Sequence, residues 1–281
     1  MTILVTGAGG QLGRALGRTV APTGNLVSLT RAELDVTDRD RVLEVLTAHR
    51  PAVVVNCAAW TDVDGCELDE GRARRINLEP LEFLREACES VGSHLVQIST
   101  DFVFDGKLNE PYTEAHATGP LNIYGAGKLA SELAAGPEAT VVRTSWLQDS
   151  AGPNMIERVF RFLDGSGRME LPADRWSTPS FTDDVARVVS ALATERYPGV
   201  VHVANEGVTS WTDFARALAD ELGHDPERIV ATFEGDHNPP RPARRPAYSA
   251  LSNAVLRNLG YQPMRHHRDV AGEILGRLQD G

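Results

Sequence analysis

The segment Gly7-Ala8-Gly9-Gly10-Gln11-Leu12-Gly13 constrains the fold of this chain more than any other part of it. It follows the apolar run Ile3–Thr6, which reads as a strand, and it opens Gln11–Val20, which reads as a helix. Within that strand-to-helix turn the glycines have separate uses. Gly7 permits the tight turn, Gly10 lets backbone amides approach a pyrophosphate, and Gly13 lets the helix pack close to the sheet. The helix start then presents unpaired N–H groups and a partial positive charge to an anion. A glycine-rich loop alone is weak evidence; its place between an N-terminal strand and a helix marks a dinucleotide site.

The same alternation continues. Leu26–Leu29, Val53–Val55, Leu95–Ser99, Thr140–Arg143 and Val200–Ala204 read as strands. Asp38–His49, Leu78–Val91 and Tyr124 to about Ala135 read as helices. Ser210 is placed as the cap of a helix over Thr212–Leu222, with Asp213 as the acid three residues on. Residues 146–179 are less regular, and Pro239–Pro246 is expected to be a loop. Arg265-His266-His267-Arg268 reads as a solvated helix start, since no ligand spacing accompanies it. Short, wholly apolar strands between helices imply an α/β fold with a doubly wound parallel sheet of the Rossmann type, covered on both faces. The expected division is a dinucleotide-binding domain over 1–145, with a returning strand near 200–204, and mainly a smaller C-terminal substrate lobe over 146–281.

The formal charge of −11 over 281 residues argues against nucleic acid as a partner, while leaving room for one basic pocket that takes a small anion. Cys57, Cys66 and Cys88 lack metal-ligand spacing, no other ligand cluster suggests a metal, and an odd count reads as free thiols in a reducing compartment. No apolar run approaches the roughly 20 residues that span a bilayer. Met1 leads directly into Ile3-Leu4-Val5 with no export signal in view. A cytoplasmic protein without membrane contact is expected.

Two further constellations carry chemistry. Tyr124 and Lys128 stand four residues apart, so they share a helix face. A cation near the phenol would lower its pKa and make it a proton donor and acceptor near neutral pH. Gly125 and Gly127 between them disfavour a helix, which suggests close packing against cofactor or sheet. Ser99-Thr100-Asp101 ends the fourth strand, where such sheets bind ligands, and the Thr100 hydroxyl can bond a substrate carbonyl there or simply cap a turn. The second strand ends at Arg31, which leans the cofactor towards NADPH through its 2′-phosphate, with NADH as the alternative; Asp35 is placed near the adenine. Jointly these features describe hydride transfer.

The chain resembles the extended short-chain dehydrogenase/reductases and, within them, the dTDP-4-dehydrorhamnose reductase family. The resemblance runs through the glycine loop, Leu34-Asp35-Val36-Thr37-Asp38, Val55-Asn56-Cys57-Ala58-Ala59-Trp60-Thr61 and Ile98-Ser99-Thr100-Asp101-Phe102-Val103-Phe104-Asp105-Gly106. It continues in Pro120–Gly125, Arg143-Thr144-Ser145-Trp146 and Arg244-Arg245-Pro246 with Ser249. It implies Thr100, Tyr124 and Lys128 as the catalytic trio, Asp101 and Trp146 facing a sugar, and Gly10, Gln11, Leu12, Asp35, Val36, Ala58 and Ala59 along the cofactor. Ser99 belongs to the cofactor side as well. Arg244 or Arg245 is a candidate for the pyrophosphate of a sugar nucleotide. The segment Leu147–Met155 departs from the family's glycine-bearing turn and Asn-Phe helix start, and Asp174-Arg175 stands where the family has Asp-Gln. The implied activity is reduction of a dTDP-linked 4-keto-6-deoxy sugar, most simply dTDP-4-dehydro-L-rhamnose. The alternatives are a 4-ketoreductase for another dTDP-deoxysugar and a non-catalytic NADP-binding regulatory subunit. A homodimer is compatible with all of them.

Overall fold

Alternation along single strands sets the layers. The computed structural model describes residues 1–20, 25–236 and 239–280. Six strands form one parallel sheet: β1 (Thr2–Thr6), β2 (Asn25–Leu29), β3 (Val53–Asn56), β4 (His94–Thr100), β5 (Thr140–Thr144) and β6 (Gly199–His202), in the spatial order β6-β5-β4-β3-β1-β2. Ile3 and Val5 point to one face, where α1 (Gln11–Val20) and a helix over Thr182–Glu195 cover them with Leu12, Leu16, Val185 and Val189. Leu4 points to the other face, against α2 (Arg39–His49) and a helix over Glu79–Val91, which supply Val42, Leu46, Leu81 and Leu84. This is the period-two logic of a strand buried on both sides. The doubly wound α/β expectation is met.

The strand order reverses direction between β1 and β3, which is the topological switch point where such sheets bind ligands. In register, Thr6 lies beside Asn56 and Thr100 beside Thr144, so the carboxyl ends finish on one edge. The glycine loop leaves β1 at that edge. Gly7 has φ of 63°, and a Cβ on Gly13 would lie 2.5 Å from the Gly7 carbonyl oxygen, a close approach that only glycine allows.

Several stretches without an expected element are helical, one of them within the segment 146–179 that was expected to be irregular. After β3 come α3 (Val63–Leu68) and α4 (Glu70–Asn77), which precede α5 (Glu79–Val91). Beyond α6 (Ile123–Ala135) and α7 (Met155–Leu163), Thr182–Glu195 forms α8. α9 (Trp211–Glu221) begins as read, with Ser210 Oγ accepting from Asp213 N at 3.0 Å. A second core gathers Ile156, Val159 and Leu163 of α7, Phe214 and Leu218 of α9, and Val270 and Ile274 of α10 (His267–Gln279). Its strands, Met169–Pro172 and Ile229–Thr232, pair parallel to each other. The start of α10 corrects one expectation. His266 does cap the helix, accepting from Arg268 N, but the segment is not simply solvated. His267 is buried, and Arg265 grips the buried Asp184 at 3.0 Å and Glu273 at 2.8 Å.

Candidate active site

At the carboxyl ends of β1, β3, β4 and β5 a cavity of about 520 Å³ opens. One wall is Gly10 to Gly13 with Cys57, Ala58 and Ala59; another is Ser99, Thr100 and Asp101 with Tyr124 and Lys128; Thr144 to Leu147 closes a third side. A hollow of about 270 Å³ shares Gly10, Cys57, Ala58 and Ala59 with it, and adds Gly7, Arg31, Asp35 and Val36. All the residues expected at the cofactor therefore line one of two adjoining hollows. The lining suits a dinucleotide. Backbone is pressed together at Gly7 and Gly13, and the first-turn N–H groups of α1 have no intrahelical acceptor.

Tyr124 sits in the first turn of α6 because Asn122 caps that helix, its side chain accepting from Gly125 N at 2.8 Å. Gly125 has no room for a side chain, since a Cβ would collide with the Phe102 carbonyl oxygen. Its packing partner within the protein is the turn after β4. Gly127 meets only Asn77 Cβ at 3.8 Å among protein atoms, so it is not pressed against the sheet. The Tyr124 ring meets Phe102 edge-on, with centroids 5.9 Å apart.

Lys128 lies on the same face but does not act on the phenol as expected. Its Nζ donates to the Ile98 carbonyl at 2.6 Å. Burial pulls its ammonium down to about 8, against the opposing pull of Glu132 and Cys57. The Tyr124 phenol is pushed up, first by burial and then by the charge of Asp101. The lowering of the Tyr124 pKa by Lys128 is thus corrected for this arrangement.

Behind the trio lies a polar cluster that sequence reasoning did not find. Glu132, one turn beyond Lys128, accepts from Ser99 Oγ at 2.5 Å and from Arg143 at 2.9 and 2.7 Å. Both members of the Glu132–Arg143 pair are 5% exposed. The sequence signal was the spacing of Lys128 and Glu132, four apart on one helix face.

On the substrate side Thr100, Asp101 and Trp146 all line the cavity. Trp146 stacks on Trp211 with centroids 4.1 Å apart and planes at 9°, and its backbone is left-handed, with φ of 40°. Neither Arg244 nor Arg245 lines it. Arg245 forks onto Asp64 of α3 at 3.0 and 2.7 Å, while the Arg244 carbonyl accepts from Asn122 and its side chain is exposed. Arg31 pairs with Asp35 at 3.3 Å at the mouth of the smaller hollow. A second cation, Arg72, lines that hollow with its guanidinium 4.2 Å from the Trp60 ring centroid, a position no motif announced.

The family model described as RmlD substrate binding domain matches residues 1–279. The dTDP-4-dehydrorhamnose reductase of Mycobacterium tuberculosis is 39% identical to the chain, over 97% of it and 92% of that protein. The probable dTDP-4,6-dihydroxy-2-methyloxan-3-one 4-ketoreductase of Streptomyces antibioticus is 38% identical, over 97% and 94% of the two chains. Among solved structures, the dTDP-4-dehydrorhamnose reductase of Bacillus anthracis in complex with NADP superposes with a TM-score of 0.90 at 30% identity, over 98% of this chain and 99% of that one.

Glu132→Ala leaves Arg143 buried without its carboxylate. Removing one partner of a buried pair costs about 3–5 kcal/mol, so the melting temperature should fall by roughly 10 °C. Adding Arg143→Met should recover part of that loss, because the orphaned charge is gone. Thermal unfolding of the three proteins checks this, and an unchanged single variant would show that Arg143 has another partner in reach.

Proposed function

The chain belongs to the RmlD substrate-binding-domain family, and from that premise we propose that it is a sugar-nucleotide 4-ketoreductase acting on a dTDP-linked 4-keto-6-deoxy sugar with NADPH as donor. The observation that carries the reading is the meeting of Thr100, Tyr124 and Lys128 with the glycine loop around one cavity. A bound reduced nicotinamide would supply hydride to the keto carbon. Tyr124 gives the developing alkoxide its proton. Thr100 holds the oxygen end of the substrate beside Tyr124. Lys128, buried and charged, orients the cofactor side of the cavity and keeps positive potential near the reacting oxygen. Trp146 offers one flat face for a sugar ring. The intact trio weighs against a purely regulatory subunit. We place the enzyme in the cytoplasm, consistent with three free cysteines. Among the described residues no helix is long and apolar enough to cross a membrane.

The favoured substrate is dTDP-4-dehydro-L-rhamnose, after relatives such as the mycobacterial reductase. The near-equal identity to a ketoreductase that carries another sugar name supports a second reading, reduction of a different dTDP-keto sugar. Turnover of a panel of dTDP-4-keto sugars decides between them: preference for the rhamnose precursor removes the second reading, and preference for another sugar removes the first.

Tyr124→Phe keeps the ring and removes the proton. kcat should fall by about 10²-fold or more, as expected for losing general acid catalysis, with little change in NADPH affinity. Near-normal turnover would exclude Tyr124 as the acid.

Arg31→Ala should weaken NADPH far more than NADH. A charge-assisted bond to the 2′-phosphate is worth about 1.5–3 kcal/mol, and NADH has no such group. Equal losses by titration would mean that Arg31 does not read the 2′ position and would shift attention to Arg72.

Trp146→Phe should raise KM for the keto sugar while leaving NADPH binding intact. Part of the stack on Trp211 goes too, so the melting temperature should drop by only about 2–4 °C, the scale of roughly 1 kcal/mol. A larger fall in stability with unchanged kinetics would assign Trp146 to packing alone.

A further inference from the structure

Asp101 lines the cavity, yet its carboxylate is held by the protein. Oδ1 accepts from Thr100 Oγ1 at 3.0 Å. Oδ2 accepts from Ser249 Oγ at 2.5 Å and from Ser177 Oγ at 3.2 Å. Asp101 is 2% exposed, and both serines are buried as well. An ionised carboxylate offers about four acceptor positions, and three are taken here. Neither Ser177 nor Ser249 lines the cavity, so their hydroxyls reach it through Asp101.

The two serines arrive on paired backbone. Trp176 N donates to the Ala247 carbonyl and Ser249 N to the Trp176 carbonyl, both at 2.8 Å. The short strand Trp176–Ser177 also pairs antiparallel with Thr209–Ser210, and the next residue, Trp211, stacks on Trp146. On the other side of the carboxylate, Thr100 Oγ1 gives its one proton to Asp101 and accepts from Phe102 N at 3.2 Å, so that hydroxyl is held from two directions. Asp101 thus ties the end of β4 to the ladder that carries the Trp146 stack.

We propose that Asp101 is a positioning residue and not a ligand of the sugar: it orients Thr100 and, gripped by Ser177 and Ser249, fixes the spacing between Thr100 and the Trp146 wall of the cavity. The proposal deepens the ketoreductase reading and rests on it for its kinetic part. It departs from the family resemblance, which sets Asp101 against the sugar. A carboxylate that read a sugar would keep its acceptor positions for sugar hydroxyls, whereas this one has given three to the protein. The position also demands an acceptor at both oxygens, because all three partners donate. An asparagine brings one acceptor and one donor group, so whichever way it turns, its NH2 meets a hydroxyl that must reverse.

The test pairs kinetics with a measurement that needs no substrate. With NADPH and dTDP-4-dehydro-L-rhamnose, Ser249→Ala should lower kcat by roughly tenfold, the scale for losing a hydrogen bond to a charged group that holds a reacting geometry, and leave the Kd of NADPH unchanged. Ser249→Thr keeps the hydroxyl and should recover the rate. Thr100→Val removes the group that Asp101 orients, so in that background Ser249→Ala should change kcat by less than about twofold. Without ligands, Phe102 N–H is shielded by Thr100 Oγ1. A peptide over residues 100–104 should therefore exchange its amide hydrogens faster in Ser249→Ala and in Asp101→Asn, while one over residues 2–6 of β1 should not. Ser177→Ala loses the longer bond, should shift exchange and kcat in the same direction, and serves where Ser249→Ala does not fold. A full tenfold loss from Ser249→Ala in the Thr100→Val background, or exchange over 100–104 that matches the unaltered protein, would overturn the proposal. So would a raised KM for the keto sugar with unchanged kcat in Asp101→Asn, the mark of a sugar contact. Absence of turnover on every keto sugar nucleotide would instead strike the ketoreductase reading, and the exchange measurement would still judge Asp101.

Discussion

Parallel register is the constraint on which the rest of this structure depends. A parallel ladder fixes each strand against its neighbour by evenly spaced backbone bonds, and every strand of this sheet runs the same way. Each carboxyl end then finishes on the same edge. Thr6, Asn56, Thr100 and Thr144 reach that edge from four strands, and the loops after them deliver the glycine turn, Ala58-Ala59, Asp101 and Trp146 to one cavity. A slip of one residue in β4 would turn Thr100 to the opposite face.

The interior near that edge is polar, and a row of it is paired across the strands. Thr6 donates to Asn56 at 2.6 Å, Asn56 to Gln97 at 2.7 Å, and Gln97 reaches Ser131 of α6 at 3.4 Å. Next to this row stand Glu132, Arg143 and His202, the last held neutral by burial and by the neighbouring Arg143, which bring its pKa to about 3. Buried polar groups are costly when unpaired and specific when paired. Here they fix α6 against β4 and β5, and α6 carries Tyr124 and Lys128.

Legibility in the sequence followed the amount of apolar periodicity. The sheet strands are short, continuous apolar runs, and they stood out. α3 and α4 did not, because between Val63 and Asn77 few apolar residues are buried, chiefly Cys66 and Ala73, among many charges. α8 does carry the helical signal, in Val185, Val189 and Leu192 at spacings of four and three. At the site, motif spacing placed the trio and the cofactor wall. It did not place the atoms: four-residue spacing put Lys128 on the Tyr124 face, yet its Nζ turned to a β4 carbonyl. Contacts between distant segments were invisible for a simpler reason. Ser177, Ser249 and Asp101 are separated by 76 and 148 positions, and only the folded chain brings their oxygens together.

The segment after Trp146, where the sequence departs from the family it resembles, is not a free appendage. Asp149 is buried and accepts from Arg14 of α1 at 2.7 Å and Arg18 at 3.5 Å. The same Arg14 donates to the Gly9 carbonyl of the glycine loop at 2.5 Å. One guanidinium therefore joins the glycine turn to the strand end that carries Trp146 to the cavity. Arg14 is 46% exposed, so the bonds to it are screened on one side, whereas Asp149 has no water to replace them. The arrangement makes the position of Trp146 depend on the glycine loop as well as on its stack with Trp211. Sequence change in this lobe is thus tied through Asp149 to the most constrained turn in the molecule, which limits how far the Trp146 side of the cavity can move relative to the glycine-loop side.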